Sequence, residues 1–318
     1  MKRPKLKPIS DMDLSQDMTV SELTSQMLSS GGFTAKKLGM ACEILRSMYK
    51  ERDCTVFLSF PACIISTGTR GVIRKLVEEK LVDVIITTCG TLDHDLARVW
   101  KKYYHGDFLM DDGKLYRQGV NRLGNILIPN ECYGIVLEQK MQPILAELYK
   151  EGERSMSSRQ LAEEFGLRVN DKKSILYWAA RNHIPVFVPG ITDGAFGSQL
   201  WMFRQQHSDF GVDVLKDEQE LSDIVFTSKK AGAIMIGGGI SKHHVIWWNQ
   251  FRDGLDYAVY LTTAEEYDGS LSGARIREAV SWGKVKEKAK YTTVEGDATI
   301  TLPMITASVL GTRRPERD

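Results

Sequence analysis

This chain predicts an α/β fold, doubly wound around a mostly parallel, Rossmann-like sheet with helices on both faces. Three observations lead there. Short apolar runs rich in β-branched residues recur along the chain, each is followed by a helical pattern, and the runs are continuously apolar, as strands covered on both faces require. Residues 55–60 read as a strand and 71–80 as the helix after it. Residues 82–88 and 92–102 repeat the pair, and 125–129 with the long helix 135–151 form a third. Further strands are expected at 185–189, 233–236 and 257–262. The polar residues 1–30 read as an N-terminal arm or short helix, and 31–318 as a single domain without repeat or linker.

Composition excludes several functions. Forty-two Lys and Arg against 41 Asp and Glu leave a net charge of +1, too little to gather nucleic acid or anionic lipid. Lys2, Arg3, Lys5 and Lys7 form a basic tip with no apolar run of export-signal length behind it. The apolar stretches are strand-sized, so no membrane span is expected. Cys42, Cys54, Cys63, Cys89 and Cys132 show neither zinc-like nor redox-motif spacing, which fits reduced thiols in a cytoplasmic protein.

Ligands of such sheets bind beyond the carboxyl ends of the strands. Those ends carry small or polar residues here: Thr87-Thr88-Cys89-Gly90, Gly190-Ile191-Thr192-Asp193-Gly194, Gly237-Gly238-Gly239, Thr262-Thr263-Ala264-Glu265 and Glu295-Gly296-Asp297-Ala298. Glycine lets backbone approach a ligand and leaves amides free for phosphate. Neither a GxGxxG fingerprint nor a Walker motif occurs, so a dinucleotide would be held in a non-standard way.

The run Glu278-Ala279-Val280-Ser281-Trp282-Gly283-Lys284 follows a Gly-rich stretch and sets a lysine beside tryptophan and glycine. A lysine freed of its proton by burial or a neighbouring cation becomes a nucleophile able to form an imine. His243-His244 reads either as one satisfied core residue and one solvent-facing residue, or with one of them as a general base or amine partner near that lysine. Asp93-His94-Asp95 are adjacent on a helix and point in different directions, so no metal is expected. Tyr103-Tyr104-His105-Gly106-Asp107 reads as surface packing, and the Lys/Glu-rich residues 284–290 as a solvated face.

Beyond its first thirty residues the chain resembles the deoxyhypusine synthase family. The matching segments are Gly124-Asn125-Ile126-Leu127-Ile128-Pro129-Asn130, Asn182-His183-Ile184-Pro185-Val186-Phe187 with Thr192-Asp193-Gly194, Gly237-Gly238-Gly239 with Lys242-His243-His244, Asp256-Tyr257-Ala258-Val259-Tyr260, Asp268-Gly269-Ser270 with Ser272-Gly273-Ala274-Arg275, and 278–284. Thr91-Leu92-Asp93-His94-Asp95 and Gly194-Ala195-Phe196-Gly197-Ser198-Gln199-Leu200-Trp201 resemble the archaeal branch.

The resemblance implies NAD-dependent transfer of the 4-aminobutyl group of spermidine to a lysine of the translation initiation factor 5A precursor, through an imine on Lys284. His243 is then the second catalytic residue. NAD contacts would be Ala62, Cys63, Ile64, Ile65, Ser66, Thr88, Cys89, Gly90, Asp193, Gly238, Thr263, Ala264, Asp268, Asp297 and Ala298. Amine contacts would be Asp93, His94, His243, Gly269, Ser270, Glu278 and Trp282. A homotetramer with sites at subunit interfaces is also implied. The eukaryotic enzymes carry acidic residues where this chain has His94, Ser198 and Leu271, and asparagine where it has Cys63. The alternatives are transfer to a free diamine, as in a homospermidine synthase, and an inactive NAD-binding partner subunit.

Overall fold

The computed structural model describes residues 6–312 and 314–315; Lys2, Arg3 and Lys5 of the basic tip lie outside the described residues. Six strands form the central sheet: β1 (Cys54–Phe60), β2 (Val84–Thr87), β3 (Val186–Phe187), β4 (Lys230–Ile236), β5 (Leu255–Thr262) and β6 (Val285–Glu295). Their spatial order is 3-2-1-4-5-6 and every pairing is parallel. This is the doubly wound order, whose crevice opens where the winding reverses, between β1 and β4.

The inner strands β1, β2, β4 and β5 are mostly apolar because both their faces are covered, and their period of two sorts the side chains. Val56, Leu58 and Phe60 of β1, Ile234 and Ile236 of β4, and Val259 and Leu261 of β5 enter the larger core. Its helical side includes Phe33–Lys50, Arg70–Glu78, Cys89–Trp100, Gly134–Glu151 and Ala298–Val309. Phe57, Ala233, Met235, Ala258 and Tyr260 point the other way, into a smaller core closed by helices Val214–Thr227, Ile240–Asn249 and Ile276–Ser281. Near the N-terminus, helix Val20–Ser30 starts at a Thr19–Glu22 capping box, and its Thr24 hydroxyl bonds to that of Ser308 at 2.8 Å. No helix among the described residues is long and apolar enough to cross a membrane.

Two expected elements differ. The run at 125–129 is a strand, Ile126–Pro129, but it lies in a separate antiparallel sheet with Tyr104–His105 and Val120–Leu123. Its hairpin partner is reached through Gly124 and Asn125, with Gly124 at φ +61°, the turn chemistry that marks a hairpin. The helix that follows it imitated a β-α repeat. Residues 285–290, expected as a solvated face, begin the eleven-residue strand β6. An edge strand has one unpaired side and carries charge there to block aggregation, which disguises it in sequence. Lys286 joins this edge to β5 through an ion pair with Asp256 at 2.7 Å.

Candidate active site

The carboxyl ends of the strands bring the small and polar residues together along one rim. After β1 the chain forms the 3-10 turn Ala62–Ser66, closed by Ser66 Oγ donating to the Cys63 carbonyl at 2.7 Å. The Ala62 amide donates to Thr88 Oγ1 at 3.1 Å, tying this turn to the end of β2. Gly90 has to be bare, because a Cβ there would sit 2.8 Å from the Ala62 Cβ. Beyond β4, Gly239 has φ +76° and open space on its side-chain side. The helix Ile240–Asn249 that it opens has no side-chain cap, so its first amides are free for an anion. Gly238 faces the amine loop, where a Cβ would come 2.3 Å from the Ser272 Cα. Cys63, Asp193, Thr263, Asp268 and Asp297 are exposed, with Ala264 and Ala298 half-buried beside them. Ile64, Ile65, Ser66 and Cys89 are buried, so their backbones are what they can offer a ligand.

On the smaller-core face, a cavity of about 210 Å³ opens between helices Ile240–Asn249 and Ile276–Ser281. Lys242, His243, Leu271, Glu278, Trp282 and Lys284 are among the residues that line it. Gly283, at φ +67°, turns the chain from helix end into β6 and places Lys284 just before the strand. The Lys284 amide donates to the Ala279 carbonyl at 3.0 Å, and its carbonyl accepts from the Leu255 amide at 3.1 Å, so the backbone of Lys284 is fixed at both ends. Its side chain is only 9 % exposed, with Nζ 5.1 Å from the centre of the Trp282 ring and 5.7 Å from that of Trp247.

The histidine pair separates as adjacent helix positions must. His243 enters the cavity, and burial followed by the Lys284 charge lowers its pKa below the ordinary 6.5. His244 turns away to Glu218, Nε2 to Oε1 3.2 Å. Glu278 and Trp282, one turn apart, both reach the cavity.

Lys242 is a part of this site to which the sequence reading gave no role. It is 2 % exposed and its ammonium lies 3.7 Å from the Tyr260 ring centre. It donates to the Leu271 carbonyl at 2.8 Å and the Ala274 carbonyl at 2.7 Å. Tyr260 and Thr262 hydroxyls donate to the Ser272 carbonyl between them, at 2.6 and 2.9 Å. These four bonds hold the loop that carries Gly269 and Ser270, residues exposed outside the cavity lining. Arg275 joins the loop to the rim by donating to the Ala264 carbonyl at 2.9 Å. Lys242 shares the buried face of its helix with Ser241, Val245, Ile246 and Asn249.

Asp93 and His94 are not among the residues lining the Lys284 cavity. Asp93 is fully buried and accepts from Tyr133 Oη at 2.7 Å and from the Ala195 and Phe196 amides at 2.9 and 2.7 Å, capping helix Ala195–Gln206. Asp95 likewise accepts from the Ile175 and Leu176 amides, from Ser174 Oγ and from Arg70 Nε. His94, between them, shares a 2.9 Å hydrogen bond with Tyr103, and burial lowers its pKa to about 4. The three side chains thus serve three different partners.

A parallel sheet in Rossmann order, with glycine-bordered strand ends and a buried lysine near two indole rings, defines a doubly wound α/β protein. The deoxyhypusine synthase family model matches residues 22–309, and the chain belongs to that family, which is one of transferases. "Probable deoxyhypusine synthase" of Picrophilus torridus is 57 % identical over 303 residues, covering 95 % of this chain and 97 % of the relative. The protein of the same name from Thermoplasma acidophilum is 57 % identical over 304 residues, covering 96 % and 97 %. The crystal structure of "a putative deoxyhypusine synthase from Entamoeba histolytica" superposes with a TM-score of 0.69 at 22 % identity, over 96 % of this chain and 98 % of the other, and supports the fold. The archaeal relatives agree with the archaeal character of the segments around His94 and Ser198.

Proposed function

We propose that this chain transfers the 4-aminobutyl group of spermidine to a specific lysine of the translation initiation factor 5A precursor, giving deoxyhypusine, with NAD as transient hydride carrier. The observation that carries this reading is Lys284: a nine-tenths-buried amine facing two indoles, in a cavity that also holds His243 and Glu278. NAD suits the rim, where the bare Gly239, the uncapped helix Ile240–Asn249 and the exposed carboxylates of Asp268 and Asp297 match a diphosphate and ribose hydroxyls. When bound, it supplies the hydride acceptor and later the hydride donor.

The chain's own groups perform the remainder. Glu278 pairs with a donor ammonium and Trp282 covers the methylene chain. His243, its pKa lowered, is neutral near neutrality and takes the proton of the donor's secondary amine as the adjacent carbon is oxidised to an imine. Lys284 Nζ attacks that carbon as the free amine. 1,3-Diaminopropane leaves with the electron pair of its C–N bond and a proton, and the butylamine unit remains as an imine on Lys284. The acceptor lysine displaces Lys284 from the same carbon, and reduction of the new imine would draw on the hydride that bound NAD would supply. Residues 31–318 form the catalytic domain in this reading. The expected homotetramer with interface sites is supported by the exposure of Trp282 and Trp247 beside the cavity, 66 % and 43 % in the single chain.

The test is incubation of the purified chain with NAD, labelled spermidine and the factor 5A precursor, read by mass spectrometry of the acceptor. A butylamine addition in the wild type, absent in Lys284→Ala while NAD binding persists, is expected. Near-normal turnover in Lys284→Ala sinks the covalent-lysine mechanism. Label passing to putrescine instead of protein assigns the chain to free-diamine transfer.

A further inference from the structure

Lys284 has two indole neighbours, and the family resemblance gives a role to one of them. The other, Trp247, comes from a separate element, helix Ile240–Asn249, one turn after His243. Its ring centre is 5.7 Å from Lys284 Nζ, within the reach of a cation–π contact. It is stacked on the His243 imidazole, centroids 5.6 Å apart and planes 26° apart. Phe251, a further turn along, meets it edge-on at 6.0 Å and 89°. The ring is therefore held by neighbours on its own side of the chain although it is 43 % exposed.

We propose that Trp247 is a further residue of the amine site: it provides a second aromatic face for the cationic imine on Lys284 and positions His243 toward the donor's secondary amine. This inference rests on the transfer reading above. In the transfer, positive charge sits at the Lys284 nitrogen once the imine forms and is protonated. A carboxylate at that nitrogen would stabilise the cation, but it would also hold Lys284 as its unreactive ammonium. An indole face attracts the cation through its quadrupole without placing a full negative charge there. The stacking gives Trp247 its second effect, because a His243 ring free to turn would lose its alignment with the donor nitrogen.

The full-length chain is compared with Trp247→Phe and Trp247→Leu, with Trp247→Met replacing the leucine variant if that one fails to fold. Each is given NAD and spermidine, and the Lys284 adduct is trapped with borohydride and quantified beside kcat, KM and the thermal midpoint. In the leucine variant, trapped adduct and kcat should fall about 5- to 30-fold, the range between an exposed and a desolvated cation–π contact, with KM moving less and the midpoint holding. The phenylalanine variant should retain activity to within about threefold, since it keeps an aromatic face. Equal turnover in wild type and leucine variant overturns the proposal, and so does equal loss in the phenylalanine and leucine variants, which would mean packing alone. A wild type that traps no adduct refutes the transfer reading separately. The cationic-imine role of Trp247 falls with that reading, whereas a wild type that traps adduct and a leucine variant that traps as much overturns the Trp247 proposal alone.

Discussion

Replacing Lys242 by methionine asks what a buried cation costs this fold and what it returns. Lys242 is 2 % exposed, and burial lowers its pKa from 10.5 to about 7, with Glu278 raising it and Arg275 lowering it less strongly. The unfolded chain keeps this proton up to 10.5 and the folded chain only to about 7, so between those values the unfolded state binds more protons and stability rises with pH. Below about 7 both states are protonated, and above 10.5 neither is, so the group contributes no slope there. At ~1.4 kcal/mol per pH unit the full window amounts to about 5 kcal/mol. Roughly 2 kcal/mol of it falls between about pH 7 and about pH 9. Methionine fills similar space without titrating, so the difference between wild-type and variant urea unfolding curves isolates Lys242 from other ionising groups. The wild type should gain about 2 kcal/mol on the variant across that interval. A difference that stays flat means the amine is not displaced and refutes the reasoning. The same substitution leaves the Leu271 and Ala274 carbonyls without their partner, which should loosen the amine loop and raise KM for the donor more than it changes NAD affinity.

Two further predictions concern the site's neighbours. Because the His243 pKa is lowered, the acid limb of the kcat profile should lie below pH 6.5, and His243→Gln should lower kcat and abolish the limb; a limb that survives the substitution assigns the proton transfer elsewhere. Asp93→Ala removes acceptors from Tyr133 and from two helix-opening amides, at a cost of about 3 kcal/mol in chemical denaturation, and a loss below about 1 kcal/mol would show the cap to be replaceable by water.

Much of the fold was readable because burial on both faces leaves a plain mark. The runs that became β1, β2, β4 and β5 are continuously apolar, and no other element needs that pattern over so few residues. β6 escaped notice because an edge strand whose first half alternates lysine and glutamate resembles a solvated loop. The strand Ile126–Pro129 was found but placed in the wrong sheet, since local pattern records a strand's existence and not its partner. At the site, the lysine, the histidine and the Glu278–Trp282 pair were legible from spacing and family likeness. Lys242 was passed over because a lysine on an apolar face is usually solvated at its tip, and only its carbonyl partners and Tyr260 explain why this one is not.

By itself, then, the sequence determined the α/β class, the strand ends that border the crevice, and Lys284 as the residue to watch, because each depends on local composition and spacing. The tertiary structure alone decided the 3-2-1-4-5-6 order, the particular partners that Asp93, His94 and Asp95 take, and the meeting of Trp247 with Lys284. Those depend on which elements pack together, and packing joins residues far apart in the chain through surfaces that no local pattern encodes.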